Sequence, residues 1–176
     1  VAILCLQPGE CLLHAAPPVV SNIRASQRGG THLVDIYYNV SDADGNCHYW
    51  GILGITREAA LAAKGVILVA EEIWPTERIL ADPNLVLLPS LKVLAVVHEP
   101  WGALPSPVQG FYGRDHDFYN RYHEESKTPE GFRAWLEKWV LGVEDWKSFL
   151  DLLGPAALER LRVKRHLRSE PLDYGY

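Results

Sequence analysis

The sequence predicts an α/β fold: an open mixed or mostly parallel sheet flanked by helices, with a C-terminal helical segment. Three observations predict it. Between residues 32 and 99, strand-like runs alternate with helix-forming stretches. An Asp-Gly pair inside that zone favours a tight hairpin, so at least one pair of strands is antiparallel. Residues 128 to 166 read as helices with apolar stripes. Strand, helix and strand in this rhythm is the pattern of an α/β layer.

Residues 1 to 31 hold a short apolar run followed by Pro8-Gly9, Pro17-Pro18 and Gly29-Gly30. These breakers interrupt any long element, and the segment is expected to be irregular or weakly stranded. The domain proper is expected over residues 32 to 176. Val34, Ile36, Tyr38 and Val40 alternate with Asp35, Tyr37 and Asn39, the period of a half-buried strand. Asp42-Ala-Asp-Gly-Asn46 then turns the chain into a short return strand, Cys47 to Trp50. A helix follows from about Thr56 to Ala63, with Thr56 as N-cap and Gly65 as the stop. Its alanines, Ala59, Ala60, Ala62 and Ala63, let it lie close on a sheet. Val66 to Val69 suits a strand covered on both faces. Leu85 to Leu88 and Val93 to Val97 read as further strands, with a small helix from Thr76 to Ala81 before them.

Residues 100 to 127 are rich in Pro, Gly and aromatic residues and read as a loop region. Thr128-Pro129-Glu130 then supplies a cap, a proline at the first helical position and an acid in the first turn. Phe132, Trp135, Leu136, Trp139 and Val140 form one stripe. Beyond Gly142, Trp146, Phe149, Leu150 and Leu153 repeat the pattern, and Gly154-Pro155 separates a third helix. Full burial of each large side chain is worth roughly 1.5–3 kcal/mol, so these stripes need a surface to cover.

The 176 residues suit one domain, and 48% apolar with 22% charged residues argues against disorder. A net charge of −5 speaks against nucleic acid as a partner. Cys5, Cys11 and Cys47 form no CxxC pair, so reduced thiols are expected rather than disulfides or zinc. No apolar run reaches the roughly 18 residues of a membrane span, and no basic leader precedes the opening Val-Ala-Ile-Leu-Cys-Leu. A cytoplasmic protein without membrane contact is expected. There is no Met, not even at position 1, and the chain opens inside a strand-like run. That suggests either a non-standard start or a missing upstream part.

Few stretches point to chemistry. The Asp42 loop fails as a calcium site, because counting back from Gly45 puts Val40 and Gly51 where loop positions 1 and 12 would need ligands. His116 and His123 are seven apart, outside the i, i+4 spacing of paired metal ligands, so no metal is expected, and a solvated, aromatic-rich helix start is the expected reading of this stretch. Ser90 and Ser106 lie outside any Gly-x-Ser-x-Gly elbow, and no glycine-rich phosphate loop is present. Arg160, Arg162, Lys164, Arg165 and Arg168 read as a solvated run near a helix end. The segment His98-Glu-Pro-Trp-Gly-Ala-Leu-Pro-Ser106 remains. It follows a buried strand, and ligands of α/β sheets gather at strand ends. From the residues alone, a pocket wall and a rigid structural turn are equal readings.

From about Val34 onward the chain resembles the α subunits of glutaconate-type, family I CoA-transferases and their ring-opening hydrolase relatives. The segments that carry the resemblance are Asp42-Ala-Asp-Gly-Asn46, His48-Tyr-Trp-Gly51, Thr56-Arg-Glu-Ala-Ala-Leu-Ala-Ala-Lys64, Val69-Ala-Glu-Glu-Ile73, Ala81-Asp-Pro-Asn84, His98-Glu-Pro-Trp-Gly-Ala103, Gly110-Phe-Tyr112 with Asp115, Thr128-Pro-Glu-Gly-Phe132, Trp139-Val-Leu-Gly-Val143 and Asp173-Tyr-Gly-Tyr176. The resemblance implies an open α/β sheet and a β-like partner subunit, with the active site between the two. It also implies a coenzyme A thioester as substrate and no permanently bound cofactor. In the transferases a glutamate, usually from the β side, attacks the thioester. The acyl group passes to that carboxylate, and coenzyme A attacks the anhydride to leave an enzyme thioester.

Residues 1 to 31 do not resemble the family's first half, so the resemblance covers the C-terminal half of an α subunit. No residue here is therefore given a catalytic role; Glu99, Gly102 and Ser106 are candidates for shaping a substrate pocket. The leading expectation is a subunit, inactive alone, of an acyl-CoA:carboxylate CoA-transferase that forms homo- or hetero-oligomers. The alternatives are a ring-opening thioester hydrolase subunit or a non-catalytic scaffold.

Overall fold

The computed structural model describes residues 2–5, 23–28 and 31–163, with side chains from residue 35 onward. Cys11, the breakers Pro8-Gly9, Pro17-Pro18 and Gly29-Gly30, Lys164, Arg165, Arg168 and Asp173 to Tyr176 lie outside the described residues. The described chain divides into two compact units, residues 2–5 with 23–102, and residues 103–163.

The first unit is a seven-stranded mixed sheet. Its strands are β1 (Ala2–Cys5), β2 (Ile23–Arg28), β3 (Thr31–Ser41), β4 (Cys47–His48), β5 (Gly65–Ile73), β6 (Val86–Leu88) and β7 (Val93–His98). The order is β1-β7-β5-β3-β4-β6, with β2 also paired to β3. The centre is parallel: β3 pairs with β5 and β5 with β7. The flanking pairs β1–β7, β2–β3, β3–β4 and β4–β6 are antiparallel. The segment 1 to 31, expected to be irregular or weakly stranded, thus contributes two strands on the antiparallel flanks.

The Asp42–Asn46 hairpin forms as its sequence predicts. Asp42 N–H donates to the Asn46 carbonyl at 3.0 Å, and the Asp42 carboxylate accepts from the Asp44 and Asn46 amides and from Asn46 Nδ2. Gly45, at φ 91°, admits no side chain, since a Cβ there would lie 2.7 Å from Val93 Cβ. The parallel crossover runs through α1 (Thr56–Ala62). Thr56 is not its cap: Ile55 is, because the turn begins earlier, where Thr56 N–H donates to the Leu53 carbonyl. Nor does Gly65 stop the helix, which has already turned extended at Ala63; Gly65 opens β5. Ala60 and Ala63 are buried and close the apolar face of the sheet over Ile36, Tyr38, Val66, Leu68, Ala70 and Val96. A short helix, α2 (Thr76–Leu80), precedes β6.

The second unit holds α3 (His116–Glu125), α4 (Pro129–Leu136), α5 (Trp146–Leu153) and α6 (Pro155–Leu161). A π-helical turn, Glu137–Leu141, continues α4. Helix α3 lies within the stretch whose composition predicts a loop, and it is capped by the Asp115 carboxylate on the Phe118 amide. Phe118 gathers Trp135, Trp139 and Phe149 around itself with ring centroids 5.0–5.9 Å apart, edge-on. This geometry suits aromatic quadrupoles. Trp135, Trp139 and Phe149 are buried, so the predicted stripes pack on one another. No helix among the described residues is long and apolar enough to cross a membrane.

Candidate functional site

Parallel strands β3, β5 and β7 end side by side, and their carboxyl ends carry a cluster of buried polar groups. The alternation along β3 sends Ile36, Tyr38 and Val40 to the apolar face and Tyr37, Asn39 and Ser41 to the other. The register sets Tyr38 opposite Ala70 and Val40 opposite Glu72, so Asn39 faces Glu71 across the ladder. Both faces are covered: Tyr37, Asn39, Ser41 and Glu71 are all buried. The sequence pattern alone predicts a half-buried strand. The difference arises because the turn after β7 comes back over the polar face.

That turn is Glu99-Pro100-Trp101-Gly102. Glu99 N–H extends the ladder to the Ala70 carbonyl at 3.1 Å, and Gly102 N–H closes the turn on the Glu99 carbonyl at 3.1 Å. Pro100 stands at the second position and Trp101 at the third, with φ 67°. This is the pattern of a type II turn, whose third position normally takes Gly or Asn. A tryptophan there is strained, and such a conformation persists only where its surroundings hold it. The holding group is Glu71, whose carboxyl oxygens lie 2.9 and 3.1 Å from the Trp101 amide nitrogen. Tyr37 Oη lies 2.6 Å from Glu71 Oε1 and 2.7 Å from the Glu99 carbonyl oxygen, and accepts the Gly102 N–H at 3.0 Å. His98 Nε2 is 3.1 Å from the Glu71 carbonyl oxygen. A methyl group on Gly102 would meet Tyr37 Cε2 at 2.7 Å and the Glu99 carbonyl at 2.9 Å, so this position requires glycine.

Of the residues singled out by sequence, Glu99 and Gly102 thus share one turn. Ser106 lies in the second unit, where its Oγ is 3.3 Å from the Tyr119 hydroxyl. Glu71 and Tyr37 escape a reading of the sequence alone. Two signals point to them: an acid pair closing an apolar strand run, and a tyrosine on the polar side of the β3 alternation.

Elsewhere the chemistry is quiet. Cys47 is fully buried beside Tyr38; burial is the main cause pushing its thiol up to about 12 and raising the Tyr38 phenol as well. His116 and His123 are exposed on α3, and no group of three His, Cys, Asp or Glu among the described residues is arranged to hold a metal. Arg160 bridges Asp115 at 3.4 Å and Asp117 at 3.0 Å, and Arg162 pairs with Glu159 at 3.4 Å. The described part of the basic run is engaged with acids of its own unit.

No protein-family model matches the chain. Individual proteins do. The chain is 39% identical over 114 residues to the A subunit of the 3-oxoadipate CoA-transferase of Pseudomonas knackmussii, covering 65% of this chain and 40% of that protein. It is 37% identical over 128 residues to the A subunit of the glutaconate CoA-transferase of Acidaminococcus fermentans, covering 73% and 40%. It is also 29% identical over 113 residues to the cholesterol ring-cleaving hydrolase IpdA subunit of Rhodococcus jostii, covering 62% and 38%. The chain therefore spans about two fifths of the length of these curated relatives. The crystal structure of the Acidaminococcus fermentans glutaconate coenzyme A-transferase matches with a TM-score of 0.70 at 31% identity, covering 81% of this chain and 49% of that one.

Proposed function

As this chain corresponds in sequence and fold to a part of the A subunits of CoA-transferases, we propose that it is the A-side portion of an acyl-CoA:carboxylate CoA-transferase. The observation that carries the reading is that sequence and fold agree on the same protein, the glutaconate transferase of Acidaminococcus fermentans. Under this reading the substrates are a coenzyme A thioester and a free carboxylic acid, with no cofactor permanently held. The chain works in the cytoplasm with a β-like partner subunit, and the partner supplies the glutamate that takes up the acyl group. Splitting thioester exchange through such a covalent intermediate replaces one hard step by two easier ones. Glu99 and Gly102 are assigned to the wall of the substrate pocket, and Ser106 is a separate pocket candidate within the second unit. Support for the first two comes from their turn at the carboxyl ends of parallel strands, where open α/β sheets bind ligands.

The test is an assay of purified chain with an acyl-CoA donor and a labelled carboxylic acid, alone and with a β-like partner. The chain alone is expected to give no labelled thioester, and the pair to give it. Transfer by the isolated chain, lost on substituting one of its own glutamates, would overturn the reading. The similarity to a ring-cleaving hydrolase favours a second reading, a ring-opening CoA-thioester hydrolase subunit. Ring opening of a cyclic CoA thioester by the pair, without transfer to the acid, would select it.

A further inference from the structure

We propose, resting on the transferase reading, that the Trp101 indole forms part of the wall that receives the coenzyme A thioester, and that a strained residue is kept there for that contact. Among the described residues, all but one of the positions with φ in the left-handed region are glycines: Gly45, Gly51, Gly54, Gly110 and Gly154. The exception is Trp101, at φ 67°. A bulky side chain is disfavoured in that conformation, and glycine adopts it freely. Nothing in the backbone of the turn asks for tryptophan. Pro100 presets the second position, the Glu71 carboxyl group takes the Trp101 amide, and the Tyr37 hydroxyl takes the Gly102 amide. Glycine at position 101 would keep all three. Strain of this kind gathers at ligand-binding positions, where the side chain is needed for more than the fold.

The place of the residue agrees with such a use. Ala70 stands opposite His98 where the parallel strands β5 and β7 pair, and the Glu99–Gly102 turn follows directly. Open α/β sheets bind ligands beyond these strand ends. Trp101 is half-buried and has further interactions within the fold, so its exposed part is presented from an anchored residue. What an indole offers is a broad apolar ring face, and a CoA thioester carries two groups that match it, the adenine and the acyl chain.

Trp101→Gly, Trp101→Ala and Trp101→Phe separate the ring from the backbone. In denaturant unfolding of the full chain, W101G should have a midpoint above that of W101A and no lower than that of the wild type, the reverse of the usual preference for alanine. In the chain paired with a β-like partner, W101G should raise KM for the acyl-CoA donor of the transfer assay about tenfold, with kcat nearly unchanged, and W101F should stay near the wild type. An equal rise with the pantetheine thioester of the same acid assigns the acyl chain as the group contacted, and a rise confined to the CoA thioester assigns the adenine. A W101G midpoint well below the wild type would show that the ring serves the fold, and overturns the proposal. So does a wild-type KM in W101G. A wild-type pair that turns over no CoA thioester would instead remove the transferase reading, and this assignment with it.

Discussion

A single methyl group on Gly102 has nowhere to go. Its two obstacles are an aromatic ring held by three polar contacts and a carbonyl already bonded twice, and neither is a flexible side-chain end. Gly102→Ala is expected to cost about 1–3 kcal/mol, read as a lower denaturant midpoint with unchanged slope. Cys47 gives the pH-dependent counterpart. Its thiol is raised in the folded chain from 9.0 to about 12, so the native state holds a proton that the unfolded chain releases. That stability is complete below about pH 9 and is lost as pH rises from there toward about 12. Melting temperatures across that range should fall less steeply in Cys47→Ala than in the wild type; parallel profiles would show that the thiol ionises as readily folded as unfolded. Gly102 and Glu99 were legible in the sequence because they follow an apolar run. Glu71 and Tyr37 were not, because alternation reports that a face is polar, not whether water or another stretch of chain covers it.

The helices of the second unit repay their local signals. Thr128 and Asp145 cap α4 and α5, the first accepting from the Gly131 amide at 3.1 Å, the second from the Ser148 amide and hydroxyl at 2.7 Å. Thr128→Ala should destabilise by about 1 kcal/mol in denaturant unfolding. Asp145 behaves differently with pH. Its bonds to Ser148 hold the carboxyl below the usual range, so its contribution is present above that range and fades on acidification. The T128A penalty should persist at low pH while the Asp145→Ala penalty shrinks; a T128A penalty that vanishes with acid would show the cap is not the hydroxyl. The start of α4 was readable because a cap and a proline act within four residues; the Asp145 cap of α5 is found in the structure. The π-turn at Glu137–Leu141, which ends with the Gly142 amide on the Glu137 carbonyl, was not, since nothing in the local composition distinguishes it from an α turn. Helix α3 was legible in part: the composition of residues 100 to 127 predicts a loop, while the stretch around His116 and His123 reads as a solvated, aromatic-rich helix start, which it is.

A bare sheet edge and exposed tryptophans would each drive association. Among the described residues the parallel centre is flanked on each side, and the outer strands β1, β2 and β6 are four, six and three residues long. Trp135 and Trp139 are buried within their own unit. The remaining apolar surface in the first unit includes Ile52 and Ile55, 58% and 70% exposed ahead of α1. Trp139→Asp should therefore unfold the second unit, whereas Ile55→Asp should leave the melt intact and lower the sedimenting mass of any self-associated chain. Monomers from the folded Trp139→Asp variant would reverse that assignment. The pairing of β1 with β7 also bears on the chain's birth. Ala2 lies opposite His98, so β1 can dock only after β7 has left the ribosome. At about 5–20 residues per second that is a wait of roughly 5–20 s. Until then the nascent sheet offers a long parallel strand with one side unpaired, and that interval is when a chaperone or a co-translated partner has its opening.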